Sequence, residues 1–471
     1  MDQSANAGDW IHDGASKLSM ATEVVKRENK YQQAFEALKA RKPSAAWIEL
    51  LRDSAMDRFE SLGFPTVAEE EWKYTNLAEL SRLHFNLATA NKGVEYKSAQ
   101  FSFPETADNQ IVLVNGTFRH DLSTTEKLAG VVVLDLFEAI SDARYGKVVR
   151  EYLARNANYH DRGLTALNTA FLESGVFVLV PRNIEMESPL QITFVADSPA
   201  GHTANFPRVL LVAEENSSVK LVERFVSGRQ PTFTNAVVEI VLLDGARLKH
   251  DRLQQEGSEA FHIATTAAEL GQGSSYNSTA INLGAKLARH DVSVVMNHEG
   301  AECWVDGLYV VGSNQHSDTH SVIDHKQPYC NSHQLYKGIL DGNGRAVFNG
   351  KIFVREGAQK TDAMQTNKNL LLSPQARVDT KPQLEIYADD VKCAHGAAVG
   401  QIDQEELFYL ATRGIDPDLG KSLLTYGFAE EVIGKIGVES IRAQLDQAVL
   451  NQIHAELGPQ ASSPAGMSDM L

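Results

Sequence analysis

Residues Asn216–Gly257 read NSSVKLVERFVSGRQPTFTNAVVEIVLLDGARLKHDRLQQEG, and this stretch decides the fold class. Asn216-Ser-Ser is turn chemistry, and the residues after it, Val219 and Leu221 among them, alternate apolar and polar as a half-buried strand does. Asp244-Gly-Ala-Arg-Leu248 repeats the move 28 positions later, from 216 to 244. The same turn, small residue and apolar alternation returns at Gly273-Ser-Ser-Tyr276, Gly300-Ala-Glu-Cys303, Gly344-Arg-Ala-Val347, Pro374-Gln-Ala-Arg-Val378 and Gly396-Ala-Ala-Val399. Most steps are 27 to 30 positions (244 to 273, 273 to 300, 344 to 374), with one long step (300 to 344) and one short one (374 to 396). A short β-rich unit recurring at that period predicts a degenerate β-solenoid over residues 175–401, with a two-sheet sandwich of coincidental spacing as the alternative on the pattern alone.

Outward from this region the period changes. Between Leu18 and Leu62, Phe35, Leu38, Trp47, Ile48, Leu51, Ala55 and Phe59 fall at helical spacing, with Pro43-Ser44 dividing two helices and Ser44 expected to cap the second. Gly63-Phe-Pro-Thr66 stops them, Ile111 to Val114 reads as a strand, and Lys147 to Asn156 as a helix. After Gln401, Asp403 and Glu406 sit as in a capping box, with Leu407, Leu410 and Ala411 as the apolar face of the helix they open. Arg413-Gly414 closes that helix, Asp416-Pro417 opens the next, and Ile441, Leu445, Val449 and Ile453 stripe a last one. The expected organisation is an N-terminal helical and mixed domain (1–174), a β-rich core (175–401), a C-terminal helical domain (402–458) and a disordered tail (459–471).

The chain has 471 residues, 43% of them apolar, enough for two or three structural units. A formal net charge of -17 argues against binding nucleic acid or anionic membrane through the overall field. Three cysteines, Cys303, Cys330 and Cys393, are an odd, sparse set that suits free thiols in a reducing, cytoplasmic setting better than a disulfide framework. The first twenty residues lack the pattern of an export or transit signal, and no apolar run approaches the roughly 20 residues a bilayer requires. No P-loop, nucleophile elbow or C-x-x-C is present, so ATP hydrolysis is expected from another subunit and no nucleophile is assembled with a base.

The chemistry-bearing candidates are few. In Leu384–Gln401, LEIYADDVKCAHGAAVGQ, an extended backbone turns Cys393 and His395 to one face, with Cα atoms about 6–7 Å apart, where thiolate and imidazole suit iron. Six histidines lie between His290 and His333, and His316-Ser-Asp-Thr-His320 with Asp324-His325 suggests a mononuclear metal site less well than a hydrogen-bonded ladder on solenoid turns. Cys330 is read as a small buried group rather than a sulfur acceptor, and Cys303, beside Trp304, as core.

Several stretches, in order, carry a resemblance. They are Gly63-Phe-Pro-Thr66 with Glu71-Trp-Lys-Tyr-Thr75; Leu335-Tyr-Lys-Gly338 with Ala346-Val-Phe-Asn-Gly-Lys-Ile352; Ala358-Gln-Lys-Thr361 with Asn369-Leu-Leu-Leu-Ser373; and Lys381–Gly396 with Leu407-Phe-Tyr-Leu410 and Arg413-Gly-Ile415. Together they resemble the SufB/SufD family of iron-sulfur cluster assembly proteins, and the Trp-Lys-Tyr-Thr and Cys-Ala-His-Gly runs resemble its SufD branch rather than the SufB type.

That resemblance implies a mainly β fold, a right-handed parallel β-helix flanked by N- and C-terminal helices. It also implies a non-enzymatic scaffold that pairs with SufB and the ATPase SufC, the latter through the C-terminal helices, with a homodimer as an alternative state of the isolated chain. His395 then matches the family histidine that faces SufB and helps hold a nascent cluster, and Cys393 the cysteine beside it. The cluster is transient and shared with SufB, so the isolated chain is expected to hold no cofactor permanently and little or no metal. A β-helix polysaccharide lyase or hydrolase is the rival class; it calls for clustered acids on one face, whereas the acids here are scattered over turns and helix starts.

Overall fold

The computed structural model describes residues 31–41, 44–83, 85–87, 96–125, 127–128, 130–197 and 201–456. The expectations for residues 18–30, Pro43 and the tail 459–471, and for the side chain of Ile453, lie outside the described residues. The chain divides into two compact units, residues 1–65 with 158–173, and residues 66–157 with 174–471.

The first unit is helical. Helix α1 (31–41) buries Phe35 and Leu38, and α2 (Ala46–Leu62) buries Ile48, Ala55 and Phe59 as the spacing predicts, while Trp47 and Leu51 remain half-buried. Ser44 does not cap α2. Ala45 occupies the N-cap without a side-chain bond, and the Ser44 backbone N–H and hydroxyl donate instead to Glu49 Oε1, at 2.8 and 2.5 Å. Arg52 is fully buried and donates to the Leu172 carbonyl, 2.8 Å from Nε.

In the second unit, α3 (Ala78–Arg82) and the short strands β1 (Asn86–Leu87), β2 (Asn109–Val114), β3 (Thr117–Phe118), β4 (Thr124–Thr125) and β5 (Val132–Asp135) lead through α4 (Leu136–Ser141) and α5 (Gly146–Tyr152). The expected helix at Lys147–Asn156 is thus shorter at its C-terminal end, where Ala154 turns left-handed (φ 59°). Helix α6 (Gly163–Ala170) belongs to the first unit.

From Val176 the chain winds into a parallel β-solenoid of about eight turns. Its strands are β6 (Val176–Val180), β7 (Leu190–Ala196), β8 (Thr203–Asn205), β9 (Arg208–Ala213), β10 (Ser218–Ser227), β11 (Thr232–Leu242), β12 (Arg247–Gln255), β13 (Phe261–Leu270), β14 (Ser275–Asn282), β15 (Leu287–Met296), β16 (Glu302–Val311), β17 (His316–His325), β18 (Asn331–Leu340), β19 (Arg345–Val354), β20 (Asp362–Leu371), β21 (Arg377–Ile386) and β22 (Lys392–Gly400). From β9 on, odd strands stack in one sheet and even strands in the other, each pairing with the strand two ahead. The pairing sets the period: Ser218 meets Arg247, 29 positions on, Arg247 meets Ser275, 28 on, and Asn331 meets Asp362, 31 on.

Turn chemistry explains the register. Asn216, Gly245, Gly273, Gly300, Tyr329 and Lys360 all have φ between 56° and 70°, and each stands two residues before an even strand. The long step after Gly300 is therefore a turn in which Tyr329 replaces the usual Gly or Asn. Gly344 and Pro374 belong to the turns before odd strands, and Gly396-Ala-Ala-Val399 lies within β22 rather than in a turn.

Helices α7 (Gln404–Thr412), α8 (Pro417–Ile433) and α9 (Glu439–Glu456) follow the solenoid. Asp403 and Asp416 cap α7 and α8, accepting from the Glu405 and Asp418 N–H groups at 2.8 and 2.9 Å. Val432, Ile433, Ile436, Ile441, Leu445 and Val449 pack on Val222, Leu253, Ile281, Leu308 and Ile339 of the even sheet's outer face. Each such side chain contributes about 1.5–3 kcal/mol when buried, which anchors α8 and α9. Helix α7 buries no side chain, and Ala411 of its expected apolar face is exposed.

Candidate functional site

The last even rung carries the two candidate ligands. In β20 the odd-numbered residues Ala363, Gln365, Asn367 and Asn369 are buried between the sheets. Strand β22 pairs with β20 so that Cys393 meets Ala363 and His395 meets Gln365. Partners in a parallel ladder share a face, so Cys393 and His395 stand on the inward face of the rung. Strand β22 ends its sheet, and no described strand pairs with its far edge. Residues Ala394 to Gly400 are accordingly exposed, Cys393 is half-buried, and the two candidate ligands sit at the mouth of the solenoid.

Cys393 packs against the apolar cluster formed by Ile352, Val354, Ala358, Ala363 and Ala388. Burial pushes its thiol up and the nearby Asp362 charge adds to this, so the sulfur stays protonated at neutral pH until a metal or cation displaces the proton. Around it, Met364, Ile386, Tyr387 and Val399 are exposed apolar side chains beside the unpaired backbone of β22, the arrangement that templates pairing with another chain.

The histidine run divides by face. His325 points inward and lies 2.8 Å from the Ser332 hydroxyl, while His316 and His320 face outward and meet Glu70–Thr75. Trp72 stacks on the Arg289 guanidinium at 3.7 Å, and Arg289 Nη1 donates to the Glu71 carbonyl and to Asp318 Oδ2, both at 2.7 Å. Thr75 donates to Asp318 Oδ2 at 2.6 Å and lies 2.8 Å from His316 Nε2. His320 bridges Asp318 Oδ1 (3.0 Å) and Glu71 Oε2 (3.1 Å), and Lys381 pairs with Glu70. The cluster encloses a cavity of about 10 Å³, room for one water.

Burial opposes the His320 imidazolium, but the Asp318 charge and the hydrogen bonds to Asp318 and Glu71 outweigh it and raise its pKa to about 9. The hydrogen bond from His320 holds Glu71 down at about 2 against the opposing effect of burial. A charged clasp occupies this run, and among the described residues no group of three or more His, Cys, Asp or Glu is arranged to hold a metal. Cys330 is buried and donates to the His298 carbonyl at 3.3 Å, and Cys303 is core.

Sequence reasoning missed an interior polar column. Glu223 lies 3.1 Å from His250, His250 lies 3.0 Å from the Tyr276 hydroxyl, and His262 lies 2.6 Å from Glu256. Nearer the mouth, Ser321 donates to Gln334 Oε1 at 2.9 Å and Gln365 Nε2 to the same oxygen at 3.1 Å. Gly350 makes this possible, since a Cβ there would fall 2.3 Å from Gln365 Nε2. The signal was the parity of Ser321, Gln334 and Gln365 within their strands, which becomes visible only with the rung register.

Two descriptions of the same family cover nearly all of this architecture: the SufBD core domain of the SUF iron-sulfur cluster assembly system matches residues 194–428, and the SufBD N-terminal region matches residues 25–192. The chain belongs to the SufBD family. The iron-sulfur cluster assembly protein SufD of Escherichia coli is 34% identical over 388 residues, covering 81% of this chain and 88% of that protein. A SufBD family protein of Synechocystis is 35% identical over 408 residues (84% and 89%), and the SufD of Bacillus subtilis 26% over 438 (90% and 98%). The SufBD stretches recognised in the sequence are those that build the clasp (Glu71–Thr75), admit the column (Gly350) and form the mouth (Lys381–Gly396). Among the described residues no helix is long and apolar enough to cross a membrane.

Proposed function

We propose that this chain is a non-enzymatic scaffold subunit that pairs with a SufB-type chain and the SufC ATPase, so that an iron-sulfur cluster is built at the interface and handed on. The observation that carries the proposal is the placement of Cys393 and His395 on the inward face of an uncovered last rung. A half-site of one thiol and one imidazole does not saturate iron, so the remaining ligands come from a partner chain docked on the same edge. An imidazole among thiolates leaves the cluster easier to release, which suits cargo rather than a resident group. The exposed Phe408, Tyr409, Leu419 and Leu423 of α7 and α8 form the surface assigned here to the ATPase, and nucleotide-driven closure of that subunit would alter exposure of the mouth.

The test is reconstitution of the ternary complex with His395→Ala. Assembly is expected to persist while cluster formation drops strongly, and full cluster yield from this variant would overturn the assignment.

A further inference from the structure

Resting on that reading, we propose that Gln365 is the positioning residue for His395: its side-chain carbonyl accepts one imidazole N–H and so aims the other ring nitrogen outward, toward the cluster. Gln365 is buried, and its Nε2 is committed to Gln334 Oε1 at 3.1 Å. Its Oε1 is sealed from solvent and has no hydrogen-bond partner. An unpaired buried carbonyl costs about 1–3 kcal/mol, so a donor within reach is favoured. Asn367, the next inward residue, has its Nδ2 engaged with the Tyr309 hydroxyl (3.1 Å) and the Tyr336 carbonyl (3.2 Å). The group directly above Gln365 in the ladder, on the same face and about 4.8 Å away along the sheet, is His395.

Gln334 Oε1 accepts from Ser321 and from Gln365, so the Gln365 amide spends an N–H on that oxygen and its own oxygen is left for another donor. Gly350 leaves the space the amide occupies. A carbonyl partner of this kind sets a metal-binding histidine's tautomer and ring orientation. Around His395 the inward groups of β21 are Thr380, Pro382 and Leu384, none ionisable. Cys393 shares its face, and Lys392, Asp362, Lys381 and Glu385 are charges of the same rungs.

The experiment reads the imidazole tautomer of His395 from two-bond ¹H–¹⁵N couplings at one alkaline pH, on the full-length chain labelled with ¹⁵N-histidine, with the His395 signals identified by their loss in His395→Ala. One tautomer is expected in the parent chain. Gln365→Leu removes the acceptor and is expected to mix the two tautomers, whereas Gln365→Glu keeps an acceptor oxygen and is expected to restore the single one. Loss in one variant and rescue in the other do not come from loosened packing. A mixture in the parent chain, or a single tautomer that persists in Gln365→Leu with its melting transition retained, overturns the positioning role. That outcome is separable from failure of the cluster assignment, because the readout needs no cluster and full yield from His395→Ala bears on the cluster alone.

Discussion

His320 is the residue whose titration reports on the clasp. Its pKa is raised, so the stability it contributes is fully present below its ordinary value near 6.5 and is lost as pH rises through about 9. Glu71 has the opposite sign: its contribution is present above 4.5 and is lost as pH falls through about 2. The melting temperature of the full chain is therefore expected to decline between pH 6.5 and 9.5, and His320→Gln to flatten that decline, as followed by calorimetry across the range. A second residue-scale test concerns Gly350. A methyl group there meets Gln365 Nε2 and, at 2.8 Å, the Phe348 ring, so Gly350→Ala is expected to cost about 1–3 kcal/mol in denaturant unfolding. These contacts were not legible in the sequence, because the Glu71 to His320 contact spans 249 positions and neither end signals the other.

At the scale of elements, the solenoid was legible wherever its turns use Gly or Asn, as at Asn216, Gly245, Gly273 and Gly300. It was obscured where Tyr329 and Lys360 adopt the same left-handed conformation, a role those side chains do not announce. Tyr329 is 62% exposed, so little packing opposes its removal. Tyr329→Gly is expected to stabilise the chain by about 0.5–1 kcal/mol, the strain relieved less the added freedom of the unfolded chain, as read from its urea midpoint. The Cys393 and His395 pair was legible as chemistry from its two-residue spacing. Its position at the end of a column under Gln365 was not, because that depends on a 30-residue offset between β20 and β22 (365 to 395).

For the whole molecule, the solenoid presents two different surfaces from one unit: an open rung carrying the candidate ligands, and C-terminal helices whose apolar residues are divided between anchor and exposed patch. Phe408 is 72% exposed and Leu423 44%, so replacing both with Ser is expected to leave the isolated chain's melting temperature unchanged. The same double variant is expected to lose the ATPase subunit in co-purification, and its retention at full stoichiometry would remove that surface from the account. The central claim is the shared cluster at the mouth. The most direct measurement is the iron-sulfur absorbance and Mössbauer signal of the reconstituted complex carrying His395→Ala. The account predicts an intact complex with cluster content reduced about tenfold or more, at least the loss expected when even an outer partner of a metal site is removed. An intact complex with undiminished cluster would contradict it.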